Sequence, residues 1–172
     1  MNALDRIRTA RRDEGGFTLI ELLIVMSVML ILMTLAVPQM LKVRKEANQT
    51  SAVKSVQTIG QAELQYNSAY PQNGFACSIA QLGGDPKSGA PSAQSAQLIP
   101  QDLATGQKAG YTFAISNCTK VTVNNQDMYT GYEITAVPTS IGRSGDNGYC
   151  SDENNTVRVD SAGGTNCTHP LQ

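Results

Sequence analysis

The sequence predicts an α+β fold in which a long N-terminal membrane-spanning helix packs on a small antiparallel β-meander. Three observations predict it. Phe17 to Val37 is a 21-residue apolar run holding one charge, Glu21; as a helix it is roughly 31 Å long, close to the roughly 30 Å hydrocarbon core of a bilayer. Apolar residues then recur at helical spacing as far as Ala69. Beyond residue 110, short segments alternate apolar and polar side chains between turn-rich gaps.

Residues 1–16 are short and polar, with Arg6, Arg8, Arg11 and Arg12 set against Asp5, Asp13 and Glu14. Basic residues ahead of an apolar span keep that end in the cytoplasm and send the remainder across the membrane. An ordinary secretory signal would have an apolar region of about 7–15 residues followed by a small-residue cleavage site. Here the run is longer, Thr34-Leu35-Ala36 is a weak site, and the small pair Gly15-Gly16 precedes the run. Glu21 lies four residues into it. An acid at that depth is costly unless it finds a partner, and intramembrane acids mark functional sites by default. The plainer alternative is an acid near the interface that snorkels outward.

Pro38 ends the apolar run and, inside a helix, removes one hydrogen bond and kinks the axis. Lys42, Arg44 and Lys45 suit the far membrane surface. Val53, Val56, Gly60 and Leu64 then recur on one stripe, flanked by Ala52, Ile59 and Tyr66, with Lys54, Gln57, Gln61 and Gln65 elsewhere. One helix is therefore expected from Phe17 to about Ala69, stopped by Tyr70-Pro71. Residues 17–37 are its membrane segment and 38–69 its amphipathic half, whose stripe needs a sheet to cover it.

Residues 70–172 form the exported globular domain. Residues 71–97 read as a polar loop, rich in Gly, Pro, Ser and Gln. Leu98–Thr105 holds a short helical turn ended by Gly106. Tyr111–Ser116 and Tyr132–Ala136 read as strands, and Lys120–Val123 as a short strand or the end of the first one. Gly148–Ser151 and Thr156–Val159 read as two arms joined by Asp152-Glu153-Asn154-Asn155, and a tail follows Gly163-Gly164.

The chain has 172 residues, no Trp, few aromatics and a net charge of −1. That balance argues against nucleic-acid binding, which wants a strongly basic face. Phosphate-loop and nucleophile-elbow motifs are absent from the sequence. Cys77, Cys118, Cys150 and Cys167 all follow the apolar run and form no C-x-x-C pair; the single histidine, His169, is in the tail. Zinc fits poorly, and an even cysteine count beyond a membrane segment reads as two disulfides in an oxidising compartment, with free thiols in a reducing one as the alternative. Of three possible connectivities, Cys150–Cys167 closing a short loop (150–167) is favoured, which leaves Cys77–Cys118. Asp146, Asn147, Asp152 and Glu153 cluster near turns, and turn chemistry accounts for them. Asn-x-Thr triplets at Asn48, Asn117, Asn154 and Asn166 match a glycosylation pattern.

At Gly16-Phe17-Thr18-Leu19-Ile20-Glu21-Leu22-Leu23-Ile24 the chain resembles a type IV pilin or pseudopilin precursor. A short basic leader, Gly16 before Phe17, Glu21 four residues after Phe17 and Pro38 at the end of the apolar run all stand at the family's spacing. The resemblance is specific over roughly the first 38 residues. It implies a leader peptide at 1–16, cut between Gly16 and Phe17 by prepilin peptidase on the cytoplasmic side, and N-methylation of Phe17. Glycine before the cut leaves the backbone unhindered in a protease cleft. It implies that Glu21 pairs with the freed ammonium of Phe17 on a neighbouring subunit, because removing one partner of a buried pair is strongly destabilising. Pro38 matches the proline near which pilin helices bend on assembly. Met40 and Val43 stand where many pilins carry aromatics, so stacked-aromatic packing at those positions is not expected.

The expected function is then a non-enzymatic structural subunit of a type IV pilus, serving adhesion, motility or DNA uptake. Its partners would be other copies of itself and minor pilins, prepilin peptidase, an inner-membrane assembly platform and an outer-membrane secretin. It would sit in the bacterial inner membrane before assembly and in a cell-surface filament afterwards. No metal or cofactor is expected. The alternative is a pseudopilin of type II secretion, the one reading under which Ca²⁺ enters, held by the Asp146–Glu153 turn oxygens. A membrane-anchored binding module is a third reading; it predicts that residues 1–16 stay attached.

Overall fold

The computed structural model describes residues 16–87 and 89–171. The expected leader at residues 1–16, with Arg6, Arg8, Arg11 and Arg12, lies outside the described residues apart from Gly16. The chain divides into two units, residues 1–39 and 40–172. Helix α1 (Leu19–Ala69) starts in the first and ends in the second; it begins two residues later than the sequence suggests and continues through Pro38.

In the first unit, Leu, Ile, Met and Val run from Leu19 without glycine or proline as far as Val37, a composition that favours helix and supplies no breaker. The large apolar side chains from Phe17 to Met33 face outward. Among the described residues, α1 is the one helix long and apolar enough to cross a membrane, by length and composition. The hydroxyls of this run are satisfied locally. The Ser27 hydroxyl donates to Ile24 O at 2.8 Å and that of Thr34 to Ile31 O at 2.7 Å, so neither presents an unmade hydrogen bond to an apolar surrounding.

In the second unit, two one-turn helices, α2 (Ile79–Leu82) and α3 (Gln101–Ala104), precede six strands: β1 (Gln107–Lys108), β2 (Tyr111–Val123), β3 (Gln126–Pro138), β4 (Gly148–Asp152), β5 (Arg158–Asp160) and β6 (His169–Pro170). They form one sheet in the order β1-β2-β3-β4-β5-β6, antiparallel throughout, which is the expected meander. The two-residue edge strands β1 and β6 are too short to show alternation in sequence. Pro170 sits in β6, where no further strand needs its missing N–H.

The hairpin of β2 and β3 is longer than sequence suggests. The expected gap between Ser116 and Tyr132 is strand, and Lys120–Val123 is the end of β2. Two features disguise it. Asn117 has a φ of 51° beside register shifts at Ser116–Lys120, which break the alternation. Asn124 and Asn125, at φ 51° and 63°, make the tight turn that suits twisted hairpins.

The stripe on α1 also departs from expectation. Ala52, Val56, Ile59, Ala62 and Tyr66 are buried, whereas Leu64 is 46% exposed. The packed face thus lies on the Ala52–Tyr66 side, and Leu64 is about 120° round the helix from Ala52. The expected stripe took in Gly60 and Ala52 but passed over Ser55 and Ala62, small buried side chains that also let the helix lie close. Gly60 does the same: a Cβ there would meet Asn155 Oδ1 at 2.3 Å. Facing these residues are Tyr111, Phe113, Tyr132, Ile134 and Ala136 of the sheet.

Residues 71–97 are more than a surface loop. Ser78 caps α2, and Ala76, Ile79, Leu82 and Ala96 join the core. The segment folds back on itself through Ala96 N–H to Gln81 O and Leu98 N–H to Leu82 O, both 2.8 Å. Its apolar residues are too sparse among Gly, Ser and Pro to show a period.

Candidate functional site

The candidate site is the start of α1. Gly16 and Phe17 precede the helix and are exposed, and among the described residues nothing lies within 4 Å of where a Cβ on Gly16 would stand. Phe17 is 81% exposed. The scissile bond inferred from the sequence therefore lies in accessible chain ahead of the first helical turn.

Thr18 is the helix cap. Its backbone N–H donates to Glu21 Oε2 at 2.9 Å, its hydroxyl donates to the same oxygen at 2.8 Å, and Glu21 N–H points back to Thr18 Oγ1 at 3.3 Å. This reciprocal arrangement is a capping box, which satisfies two amide groups that a helix start leaves unpaired. A carboxylate in the first turn is also favoured by the helix dipole. Glu21 thus has partners in its own chain, and the sequence reading that looked for its partner only on another subunit missed Thr18. The signal was present: Thr18-Leu19-Ile20-Glu21 is the Thr-x-x-Glu pattern that precedes an apolar helix. One Glu21 oxygen carries both Thr18 bonds, and among the described residues Oε1 has no recorded protein donor.

The other singled-out residues lie elsewhere. Pro38 is inside α1, and Met40 and Val43 are exposed. The sulfurs of Cys77 and Cys118 are bonded, as are those of Cys150 and Cys167, with Cα separations of 6.0 and 5.9 Å, inside the usual range for a bridge. The first ties residues before α2 to β2; the second ties β4 to the chain before β6. Of the turn acids, Asp146 pairs with Lys45 at 2.7 Å and Asp152 with Arg158 at 2.9 Å. Among the described residues, no three His, Cys, Asp or Glu side chains converge in a way that suits a metal ion. His169 is exposed in β6 opposite Val159.

Sequence reasoning also missed Glu63. It is wholly buried on α1, where Oε2 accepts the Ala76 N–H at 2.8 Å and, among the described residues, Oε1 has no hydrogen-bond partner. Burial pushes its carboxyl up to about 8, against a smaller opposing pull from the Ala76 bond. The glutamate sits among Gln61, Leu64 and Gln65, so nothing in the pattern marks it as internal.

No curated protein and no solved structure matches the chain. A family model described as the prokaryotic N-terminal methylation motif matches residues 11–37, of which 11–15 lie outside the described residues. That stretch holds Gly16, Phe17, the Thr18–Glu21 capping box and the outward-facing apolar helix, and over it the chain carries the hallmark of type IV pilin and pseudopilin precursors.

Proposed function

We propose that the protein is a type IV pilus subunit, held in the inner membrane by Phe17–Val37 until leader removal and then drawn into a helical filament. The observation that carries this reading is the methylation motif sitting on a helix start whose acid is already positioned by Thr18. Cleavage after Gly16 would create a cation at Phe17, and a neighbouring copy's Glu21 would exchange Thr18 for that ammonium. A full positive charge attracts the carboxylate more strongly than the neutral Thr18 donors do, so the exchange favours assembly and sets the register between stacked helices. Head-to-tail contacts of this kind do not close and generate a fibre. The role is structural, without catalysis.

Intact-mass analysis of membrane protein tests processing: loss of residues 1–16 with a methylated Phe17 is expected, and an uncleaved chain overturns the reading. Electron microscopy of sheared surface filaments tests assembly, with filaments expected from the wild type and none from Glu21→Ala. The second reading, a secretion pseudopilin, is supported by the same motif. It predicts a melting temperature that rises with Ca²⁺, and short filaments that stay beneath the cell surface.

A further inference from the structure

The loop between β3 and β4 is built onto the helix residues that open the second unit. Lys45 pairs with Asp146, Asn48 Nδ2 donates to Ser144 O at 3.0 Å, and Gln49 Oε1 accepts from the Tyr149 hydroxyl at 3.2 Å. Within the loop, Gly142 N–H donates to Gly145 O and Ser144 N–H to Ser140 O, both at 2.9 Å, with Gly142 at a φ of 84°. This turn presents Ile141-Gly142-Arg143. Ile141 lies where a Cβ on Gly163 would meet it at 3.1 Å, yet is 63% exposed, and Arg143 is exposed.

Lys45, Asn48 and Gln49 lie on one helix face, spaced i, i+3 and i+4. One turn earlier the same face carries Leu41 and Lys42, both exposed. The charge here differs from that of the rest of the unit. Lys42, Arg44, Lys45 and Arg143 stand against Glu46 and Asp146, for a net +2. The remainder of residues 40–172 holds five Lys/Arg against eight Asp/Glu, a net −3.

We propose that the Ile141–Arg143 turn and the Leu41–Lys42 helix turn form a bilayer-contact surface, with Arg143 and Lys42 on the phosphates of anionic lipid headgroups and Ile141 and Leu41 entering the headgroup edge. The proposal rests on the reading that Phe17–Val37 spans the membrane. Under that reading the chain itself holds the surface near lipid. Val37 to Lys45 is eight residues, about 12 Å as helix and at most about 28 Å in any conformation. A rigid turn with an apolar tip and flanking cations on an otherwise acidic unit is complementary to an anionic headgroup layer. Before assembly, such contact would hold the globular part at the membrane; extraction into a filament would release it.

The test uses the full-length protein in nanodiscs of phosphatidylglycerol or phosphatidylcholine doped with a gadolinium-headgroup lipid, reading paramagnetic broadening of amide signals. Strong broadening at residues 141–143 is expected in phosphatidylglycerol, about fivefold weaker in phosphatidylcholine and about fivefold weaker in Ile141→Ser/Arg143→Glu. The single change Arg143→Gln, at a side chain that makes no hydrogen bond or ion pair among the described residues, should also lower the phosphatidylglycerol preference. Lipid protection at residues 22–34 without broadening at 141–143 overturns the proposal while the anchor reading stands. Water-exposed residues 22–34 overturn both. Broadening of 141–143 by a spin-labelled second copy, independent of lipid charge, overturns the proposal and assigns the turn to contact between copies.

Discussion

Glu63 Oε2 and the Ala76 N–H meet at 2.8 Å inside the core between α1 and the sheet, where no solvent reaches the carboxyl. The bond joins the buried face of the helix to the residue beside Cys77, so one side chain couples helix, core and the start of the disulfide-bearing segment.

Stability should fall as pH rises across this carboxyl's window. Its ordinary value is 4.5 and the folded value about 8. Below 4.5 both states hold the proton. Between 4.5 and 8 the folded state retains a proton that the unfolded state has lost, so each pH unit costs up to about 1.4 kcal/mol. Above the folded value the loss is complete. Tyr66 and Tyr132 face the same carboxyl and are themselves raised, with burial the larger cause in each. Melting curves from pH 4 to 9 should show this decline in the wild type and a flatter profile in Glu63→Gln.

Thr18→Val should loosen the start of α1 without moving the rest of the helix. It removes the hydroxyl donor and acceptor of the capping box, a loss of about 1 kcal/mol. Amide exchange at residues 19–22 in micelles should quicken by roughly fivefold, and Thr18→Ser should restore it. Unchanged exchange in the valine variant would mean that the cap does not hold the helix start.

Gly60→Ala should destabilise the second unit although alanine is the better helix former by about 1 kcal/mol. The added Cβ would stand 2.3 Å from Asn155 Oδ1, and such overpacking costs about 1–3 kcal/mol. Asn155 lies at a φ of 56°, so Asn155→Gly suits its backbone and clears the space. A double-mutant cycle by urea unfolding should show the pair recovering most of the loss.

Removing the two disulfides should cost unequal amounts. Cys77–Cys118 spans 41 residues and Cys150–Cys167 spans 17; loop-closure entropy assigns them about 4 and 3 kcal/mol. Paired Cys→Ala variants, compared by denaturant midpoint, should rank in that order. The opposite ranking would place the stronger restraint at the C-terminal bridge.

The long helix and the antiparallel sheet were legible because each rests on a repeated pattern. Phe17–Val37 announces itself by length, and Tyr111–Ser116 by alternation. Leu64 was misplaced because hydrophobicity alone does not distinguish a helix face that packs by bulk from one that packs by closeness, as Ala52, Ala62 and Gly60 do. Glu63 was invisible because its burial depends on the Ala76 N–H arriving from another segment. The hairpin tip was hidden by asparagines, whose left-handed conformations at Asn117, Asn124 and Asn125 support a strand and its turn while reading locally as loop. At the candidate site, Gly16, Phe17 and Glu21 stood out by spacing, and Thr18 was overlooked because the acid drew attention to a distant partner rather than to its own helix turn.

A fibre built from this chain would be pulled, and the crosslinks decide how much it can pay out. Contour held between Cys77 and Cys118, 41 residues apart, amounts to about 140 Å of extended backbone that traction on the two ends never reaches while the sulfurs stay joined. Load would pass across the covalent bridge instead, so a tugged subunit should lengthen in fewer, shorter steps when oxidised than when reduced.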